Sequence, residues 1–258
     1  MDLGLTGRRA VVTGGSKGIG LACARELIAE GARVAICSRN ADELDAAADQ
    51  LGREHVFAQP TDVTDPEQVQ RFVTAAAEAM GGIDILVNNA GGAHPGNFET
   101  LSDEDWQRDL DVKLFSQIRC TRAALPHLRR SDAARVINVN AVYAKYPDPA
   151  FFATTVNRAA CLNLNKALAA EFGAENILVN SVNIGFVVTP QWENIRNRRA
   201  PGADLGEFLD GLAKDEVPLG RFGTVEEVSG LVAFLAGSRA SYITGAVIDV
   251  AGGMGKYV

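Results

Sequence analysis

The sequence lacks the residue patterns that mark several classes of protein. No two of its cysteines form a C-x-x-C pair, and its three histidines show no metal-ligand spacing. Scattered single thiols suit a reducing compartment better than a disulfide framework. We therefore expect a cytoplasmic protein with no metal site. The four cysteines are Cys23, Cys37, Cys120 and Cys161.

Long apolar runs and a basic charge balance are also missing. No stretch of 18 or more apolar residues occurs, which argues against a membrane span. The first residues, Met1 to Arg9, have no apolar stretch of signal-peptide length. The net charge is −7, whereas a nucleic-acid or anionic-membrane surface requires a basic balance. We expect neither nucleic acid nor membrane as a partner.

What remains is the composition of an ordinary globular protein. The chain has 258 residues, of which 47% are hydrophobic and 22% charged. A chain of this length buries a sizeable core without disulfide or metal staples. No linker or internal repeat interrupts it, so we expect a single domain over residues 1–258.

Short apolar runs alternate along the chain with longer helical patterns. This alternation predicts βαβ units, and the continuously apolar strands predict a sheet covered on both faces. The fold class is therefore α/β, a Rossmann-like doubly wound parallel sheet of about seven strands with helices on both faces. The predicted strands are Ala10–Thr13, Val34–Cys37, Val56–Ala58, Ile85–Val87, Arg135–Val139, Ile177–Val182 and Val247–Val250.

Local signals place several helices. A helix over Ile19–Glu30 ends at Gly31, as a C-terminal glycine predicts. Asp65-Pro66 predicts a helix start with a capping carboxylate and a proline in the first turn. Another helix is long, with Leu110, Leu114 and Ile118 on one face.

The segment Asn194–Asp215 is the most polar and irregular part of the chain. In an open α/β sheet an insertion at this place lies over the carboxyl ends of the strands. Residues near 190–215 are therefore a candidate substrate lid. A solvated surface loop explains the same composition equally well.

A glycine cluster, Thr13-Gly14-Gly15-Ser16-Lys17-Gly18-Ile19-Gly20, lies between the first strand and the first helix. Glycines allow a tight turn and a close approach to a pyrophosphate, and the helix start offers free N–H groups to it. The cluster alone is a weak signal, but its position after a strand and before a helix predicts a dinucleotide site.

The spacing T-G-x-x-x-G-x-G, together with Asn88-Asn89-Ala90-Gly91 and Asp62-Val63, resembles the short-chain dehydrogenase/reductase family. The resemblance implies an oxidoreductase that takes a small-molecule substrate, and a homotetramer with a dimer as the fallback. In that family the last helix, here Val225 to Leu235, helps to build the tetramer. The cofactor-binding residues that the residues and the resemblance indicate are Gly14, Ser16, Lys17, Gly18, Ile19, Gly20, Ser38, Arg39, Asp62, Val63, Asn89, Ala90, Gly91, Arg158, Gly185 and Thr189.

The end of the second strand indicates which dinucleotide binds. A carboxylate there usually holds the ribose hydroxyls of NAD, but the sequence reads Cys37-Ser38-Arg39-Asn40. Lys17 and Arg39 could both reach a 2′-phosphate, which favours NADP(H) over NAD(H). An Arg39 side chain that only stacks on adenine is the alternative, and it fits either cofactor.

The residues that usually do the chemistry in this family are replaced. Members use a Tyr-x-x-x-Lys pair, a serine 13 residues before the tyrosine, and an asparagine on the middle helix. With the register set by Lys166–Glu171, these positions fall on Thr154, Arg158, Ala141 and Lys113. Threonine is a very poor acid, and arginine keeps its proton.

Other groups could replace the lost ones. We hypothesise that Tyr143 and Lys113 form a displaced catalytic pair, that Thr154 orients the substrate, and that Arg158 holds the cofactor or a substrate carboxylate. Arg158 next to Lys113 would lower the pKa of this lysine. The alternative is that Tyr143 is a partly buried aromatic at the rim and that Lys113 points to solvent.

Three functions remain open from the sequence. The first is an NADP(H)-dependent oxidoreductase that acts on a carbonyl or enoyl substrate with a rearranged catalytic site. The second is a catalytically inactive NADP(H)-binding sensor or partner protein. The third is a non-redox lyase or isomerase on the same scaffold.

Overall fold

The computed structural model describes residues 2–255, and seven parallel strands in this range form one sheet. The strand order is β3-β2-β1-β4-β5-β6-β7, so the predicted fold class is confirmed. Each predicted strand agrees with an observed one to within two residues at either end. The strands are β1 Arg9–Thr13, β2 Arg33–Ser38, β3 Val56–Pro60, β4 Ile85–Asn88, β5 Arg135–Ala141, β6 Leu178–Ile184 and β7 Val247–Val250.

Helices connect the strands and cover both faces of the sheet. None of the helices in residues 2–255 is long and apolar enough to cross a membrane. The helices are α1 Gly18–Ala29, α2 Ala41–Leu51, α3 Pro66–Met80, α4 Asp103–Leu110, α5 Ser116–Leu128, α6 Phe152–Phe172, α7 Gln191–Arg199, α8 Leu205–Glu216 and α9 Val225–Ala236.

Capping side chains account for several helix starts. The Asp65 carboxylate accepts hydrogen bonds from the backbone N–H groups of Glu67 and Gln68, which confirms the start predicted at Asp65-Pro66. Thr224 and Glu227 form a capping box that begins α9. After α1, Gly31 adopts a φ of +89°, a conformation that L side chains rarely adopt.

The strands alternate their side chains between two apolar layers. Ala10 and Val12 of β1 lie in a core with residues of α1, α2 and α9. Val11 between them lies in a second core with residues of α3, α5 and α6. Both faces of the sheet are therefore buried, which explains why the strands are continuously apolar rather than alternating.

The strand order reverses between β1 and β4. Helices that leave these two neighbouring strands pass to opposite faces, which opens a crevice at the carboxyl ends. The glycine-rich turn follows β1, and Asn89-Ala90-Gly91 follows β4. The topology therefore brings both predicted cofactor segments to the same edge of the sheet.

The long middle helix is interrupted. A π-helical turn, Asp111–Phe115, joins α4 to α5. Leu110 and Leu114 are only half-buried, whereas Asp109 and Lys113 are fully buried. The predicted apolar face is therefore not the most buried face of this helix. The most buried face carries two side chains of opposite charge, which compensate each other.

The candidate lid is helical rather than irregular. Helices α7 and α8 occupy most of it, and Trp192, Ile195, Leu209 and Ala213 pack with Phe222 in a small core of their own. The prediction of an irregular segment was wrong because α7 carries few apolar residues, and its buried ones depend on partners far along the chain. Closure over a substrate stays a prediction.

The apolar face of α9 has a partner within the chain. Val228, Val232 and Leu235 are fully buried in the core that α1 also lines. This packing explains the apolar pattern that the sequence shows over Val225–Leu235. The apolar pattern of α9 therefore does not by itself indicate an interface between subunits. The homotetramer stays a prediction.

Trp192 ties α7 to the rest of the fold, and its loss should loosen that region alone. Its ring centroid lies 5.1 Å from that of Phe186 and 4.8 Å from that of Phe222, and its Nε1 donates to the Val187 carbonyl at 2.9 Å. We expect Trp192→Ala to lower hydrogen-exchange protection in α7 and α8 at least tenfold, about 1.4 kcal/mol. Unchanged protection in α7, or an equal loss in β1, would contradict this account.

Candidate functional site

A cleft of about 830 Å³ lies at the carboxyl ends of the strands. The glycine-rich turn lines one end, and Lys113, Tyr143, Thr154 and Arg158 line the other. All predicted cofactor residues line it except Gly20. The predicted cofactor residues found in its lining are Gly14, Ser16, Lys17, Gly18, Ile19, Ser38, Arg39, Asp62, Val63, Asn89, Ala90, Gly91, Arg158, Gly185 and Thr189.

The glycine turn is packed so closely that side chains do not fit. A Cβ at Gly20 would lie 2.2 Å from the Gly14 carbonyl oxygen, and one at Gly14 would lie 3.0 Å from the Ala90 Cα. Asn89 holds the two segments together, because its Nδ2 donates to the carbonyls of Thr13 and Gly14 at 2.9 and 3.1 Å. Gly20 therefore contributes by close packing rather than by facing the cleft.

The start of α1 is open toward the cleft. Lys17 is the N-cap residue, and its side chain makes no hydrogen bond to the first turn of the helix. The first N–H groups of a helix have no partner within the helix and carry its positive dipole end. The turn and the helix start together fit the pyrophosphate of a dinucleotide.

The outer end of the cleft carries charges of both signs. Arg39 is exposed there, as expected for a group that meets a 2′-phosphate. Lys17, however, pairs with Glu43 at 2.8 Å, and Glu43 also lines the cleft. Glu43 was not predicted as a cleft residue, because it lies in the first turn of α2 and not at the end of β2, where an acid that binds the ribose is usually found.

The inner end contains a buried polar cluster around Asp109. The Asp109 carboxylate contacts the Lys113 ammonium in a salt bridge, and Lys113 is only 1% exposed. Thr154 Oγ1 donates to Asp109 Oδ1 at 3.2 Å, and Asn157 Nδ2 donates to Asp109 Oδ2 at 2.9 Å. The alternative in which Lys113 points to solvent is therefore wrong.

Lys113 has an unusual acidity. Burial and the neighbouring Arg158 guanidinium lower the pKa of Lys113 to about 8, although Asp109 opposes the shift. The predicted direction is confirmed, but burial contributes more than the Arg158 charge that the prediction invoked. A lysine with such a pKa can give up a proton near neutral pH.

Arg158 is fixed from both sides. Its Nη1 donates to the Val139 carbonyl at 2.9 Å, and its own carbonyl accepts from Asn140 Nδ2 at 3.1 Å. Its Nε makes no hydrogen bond with any of residues 2–255. A Cβ on Gly91 would lie 3.0 Å from Arg158 Nη2, so the guanidinium borders the second cofactor segment. This placement suits a group that holds the cofactor.

Tyr143 lines the same cleft as Lys113. Its ring stacks on Phe151 with centroids 5.5 Å apart, and it is half-buried. Within residues 2–255 no hydrogen bond joins Tyr143 to Lys113, which is held by Asp109 instead. Burial, together with the nearby Asp148, raises the pKa of Tyr143 far above its usual value. The hydroxyl therefore keeps its proton, and its role in a displaced pair stays a prediction.

Sequence reasoning missed Asp109 and Asn157. Asp109 precedes Lys113 by four residues, a spacing that brings two side chains together on a helix, and Asn157 follows Thr154 by three. Both spacings are visible in the sequence, but a spacing alone does not show whether the side chains are buried or exposed. Among residues 2–255, no group of three His, Cys, Asp or Glu side chains is placed to hold a metal ion.

The fold and the cleft define a dinucleotide-binding α/β protein, and comparison with known proteins identifies the family. Residues 14–255 match a family model described as enoyl-(acyl carrier protein) reductase. Oxidoreductase UcpA of Salmonella typhimurium is 37% identical over 252 residues, which cover 96% of this chain and 95% of that protein. The chain belongs to the short-chain dehydrogenase/reductase family of oxidoreductases, which confirms the resemblance.

Two solved structures are similar over nearly the whole chain. L-sorbose reductase of Gluconobacter frateurii, in complex with NADPH and L-sorbose, has a TM-score of 0.96 and 33% identity, with 100% of both chains covered. An NADPH-bound short-chain oxidoreductase of Pseudomonas aeruginosa PAO1, described as containing an atypical catalytic center, has a TM-score of 0.90 and 38% identity, with 96% of this chain and 97% of that chain covered.

The packing of the glycine turn gives a sharp test. Gly20→Ala forces the backbone of the turn to move, so we expect its Kd for NADPH, measured by calorimetry, to rise at least tenfold, about 1.4 kcal/mol. Gly230→Ala is the matched control, because this exposed helical glycine has nothing within 4 Å of an added Cβ. Equal NADPH affinity in both variants would contradict the role assigned to Gly20.

Proposed function

We propose that this protein is an NADP(H)-dependent reductase of carbonyl compounds in which Lys113 donates the proton. The observation that carries the proposal is the burial of Lys113 against Asp109 in the cleft that also contains the glycine turn. In this family the acid is usually a tyrosine, and Thr154, which takes its place here, cannot do that work.

The residues of the chain divide the work between them. When bound, NADPH supplies the hydride for reduction. Lys113 holds a proton on Nζ and releases it to the substrate oxygen as negative charge develops there. Arg158 keeps a positive charge beside the cofactor segment, where it stabilises the same developing charge. Asp109 orients the ammonium and prevents it from turning away.

A carbonyl substrate is favoured over an enoyl one. An activated alkene can take its proton from water after accepting hydride, so it needs no buried donor. A carbonyl oxygen needs an acid close by, and this cleft offers a lysine whose pKa is lowered to about 8. The similarity to an L-sorbose reductase crystallised with NADPH agrees with this choice.

The preference for NADP(H) rests mainly on Arg39. This arginine is exposed at the outer end of the cleft, and β2 ends without an acid beside it. Lys17 contributes less than the sequence predicts, because Glu43 already neutralises it. The NADPH complexes of the two similar structures support the same cofactor.

The role of Lys113 predicts a pH dependence. The protonated lysine is the donor, and its pKa is lowered to about 8, so the donor is present below pH 8 and lost above it. We expect kcat/KM for ketone reduction, which reports groups of the enzyme before the ketone binds, to fall about tenfold for each pH unit above 8. Stopped-flow measurement of NADPH oxidation from pH 6 to 10 gives this profile.

Variants separate this titration from other causes. We expect Lys113→Gln to lose most of the reduction rate. The remaining rate should no longer fall as the pH rises above 8. Lys166→Gln, on the exposed face of α6, is the control that keeps both. A Lys113→Gln enzyme with the wild-type rate and profile would rule out Lys113 as the proton donor.

A charge reversal tests the cofactor preference. Arg39→Asp removes the cation that faces the 2′-phosphate and adds a repulsive charge, so we expect the NADPH Kd to rise more than about tenfold. The NADH Kd should change much less. Arg71→Asp, an exposed arginine on α3, controls for net charge. Unchanged NADPH affinity in Arg39→Asp would contradict the assignment.

A further inference from the structure

The Thr154 hydroxyl has only one hydrogen to donate, and the protein uses it. Its oxygen lies 3.2 Å from Asp109 Oδ1 and 3.5 Å from the carbonyl oxygen of His94. Both neighbours are hydrogen-bond acceptors, so the hydrogen of Thr154 points into the protein in either case. Toward the cleft, Thr154 therefore presents lone pairs and no donor.

The other contacts of Asp109 support this orientation. Its carboxylate contacts the Lys113 ammonium and accepts from Asn157 Nδ2 at 2.9 Å, and both of these groups donate only. With donors at these contacts, the carboxylate accepts from Thr154 as well, at 3.2 Å. Asp109 thereby fixes the direction of every hydrogen bond in the cluster.

Two unlike groups consequently face the substrate side by side. Lys113 and Thr154 both contact the same oxygen of Asp109, Oδ1, so their polar atoms are neighbours. Lys113 is a donor and Thr154 an acceptor, and both line the cleft. A substrate with one carbonyl oxygen satisfies Lys113 only and leaves Thr154 unpaired, which costs binding free energy.

We propose that the substrate carries a hydroxyl group on the carbon next to the reacting carbonyl, which makes it an α-hydroxy ketone. This inference rests on the reductase proposed above and names its substrate class. The carbonyl oxygen meets Lys113, and the adjacent hydroxyl donates to Thr154 Oγ1. The opposite arrangement fails, because Thr154 has no hydrogen to offer a carbonyl.

The reaction balances without a further reactant. NADPH, when bound, would supply a hydride to the carbonyl carbon and be oxidised to NADP⁺, and the C=O double bond would become a single bond. The carbonyl oxygen takes a proton from Lys113 Nζ, and the neutral amine regains one from water that enters the cleft after the product leaves. The neighbouring hydroxyl is unchanged, so the product is a 1,2-diol.

Matched ketones test the hydrogen bond to Thr154. In 1-hydroxybutan-2-one the hydroxyl can donate, in 1-methoxybutan-2-one the oxygen can only accept, and pentan-3-one replaces the hydroxyl with a methyl group. The methoxy compound controls for electron withdrawal near the carbonyl. We expect kcat/KM to be about tenfold higher for the hydroxy ketone than for either of the others.

The same ratio should depend on Thr154. Thr154→Val keeps the shape but removes the acceptor, so the ratio of hydroxy to methoxy ketone should fall to near one. Thr154→Ser keeps a hydroxyl and should restore most of the ratio. Turnover of all three ketones at similar kcat/KM, or a ratio unchanged in Thr154→Val, would overturn the proposal.

A binding measurement separates this inference from the proposed function. Ligand-observed NMR titration of the NADP⁺ complex compares butane-1,2-diol with 1-methoxybutan-2-ol. Tighter binding of the diol that is lost in Thr154→Val supports the substrate class even if no ketone turns over, in which case only the proposed reaction fails. Equal binding of both alcohols, in wild type and variant, rejects the substrate class.

Discussion

The site depends on the ion pair between Asp109 and Lys113. Moving an ammonium group out of water is costly, and a buried lysine without a partner would lose its proton or unfold its surroundings. Asp109 compensates this cost and at the same time positions Lys113 and Thr154. Removing one member of such a pair costs about 3–5 kcal/mol because it leaves the other charge buried. The cluster therefore stabilises the fold and positions the polar side chains of the site at the same time.

The fold places this cluster in the same cleft as the segments predicted to bind the cofactor. The π-helical turn between α4 and α5 contains Lys113, and α6 supplies Thr154, Asn157 and Arg158. These elements meet the glycine turn at the carboxyl ends of the strands, where the strand order reverses. Because Arg158 borders Gly91 and also lowers the pKa of Lys113, the two ends of the cleft are electrostatically connected.

Much of the fold, and the lining of one end of the cleft, could be predicted from the sequence because both depend on local signals. The apolar strands and the position of the glycines are readable residue by residue. The inner half depends on tertiary packing: Asp109 meets Thr154 across 45 positions, and no local pattern reveals that meeting. The helices over Gln191–Glu216 were missed for the same reason, since Trp192 packs against Phe186 and Phe222 in three dimensions. The pairing of Lys17 with Glu43 likewise requires two elements to be placed first.

The most direct test of this account is the protonation state of Lys113 itself. NMR titration of protein with ¹³C-labelled lysine follows each Cε resonance, and Lys113→Arg assigns the one that matters. The account predicts that one lysine titrates near pH 8 in the wild type and that this resonance is absent from Lys113→Arg. If every lysine instead titrates near the ordinary value of about 10.4, Lys113 is not a proton donor near neutral pH and the central claim is wrong.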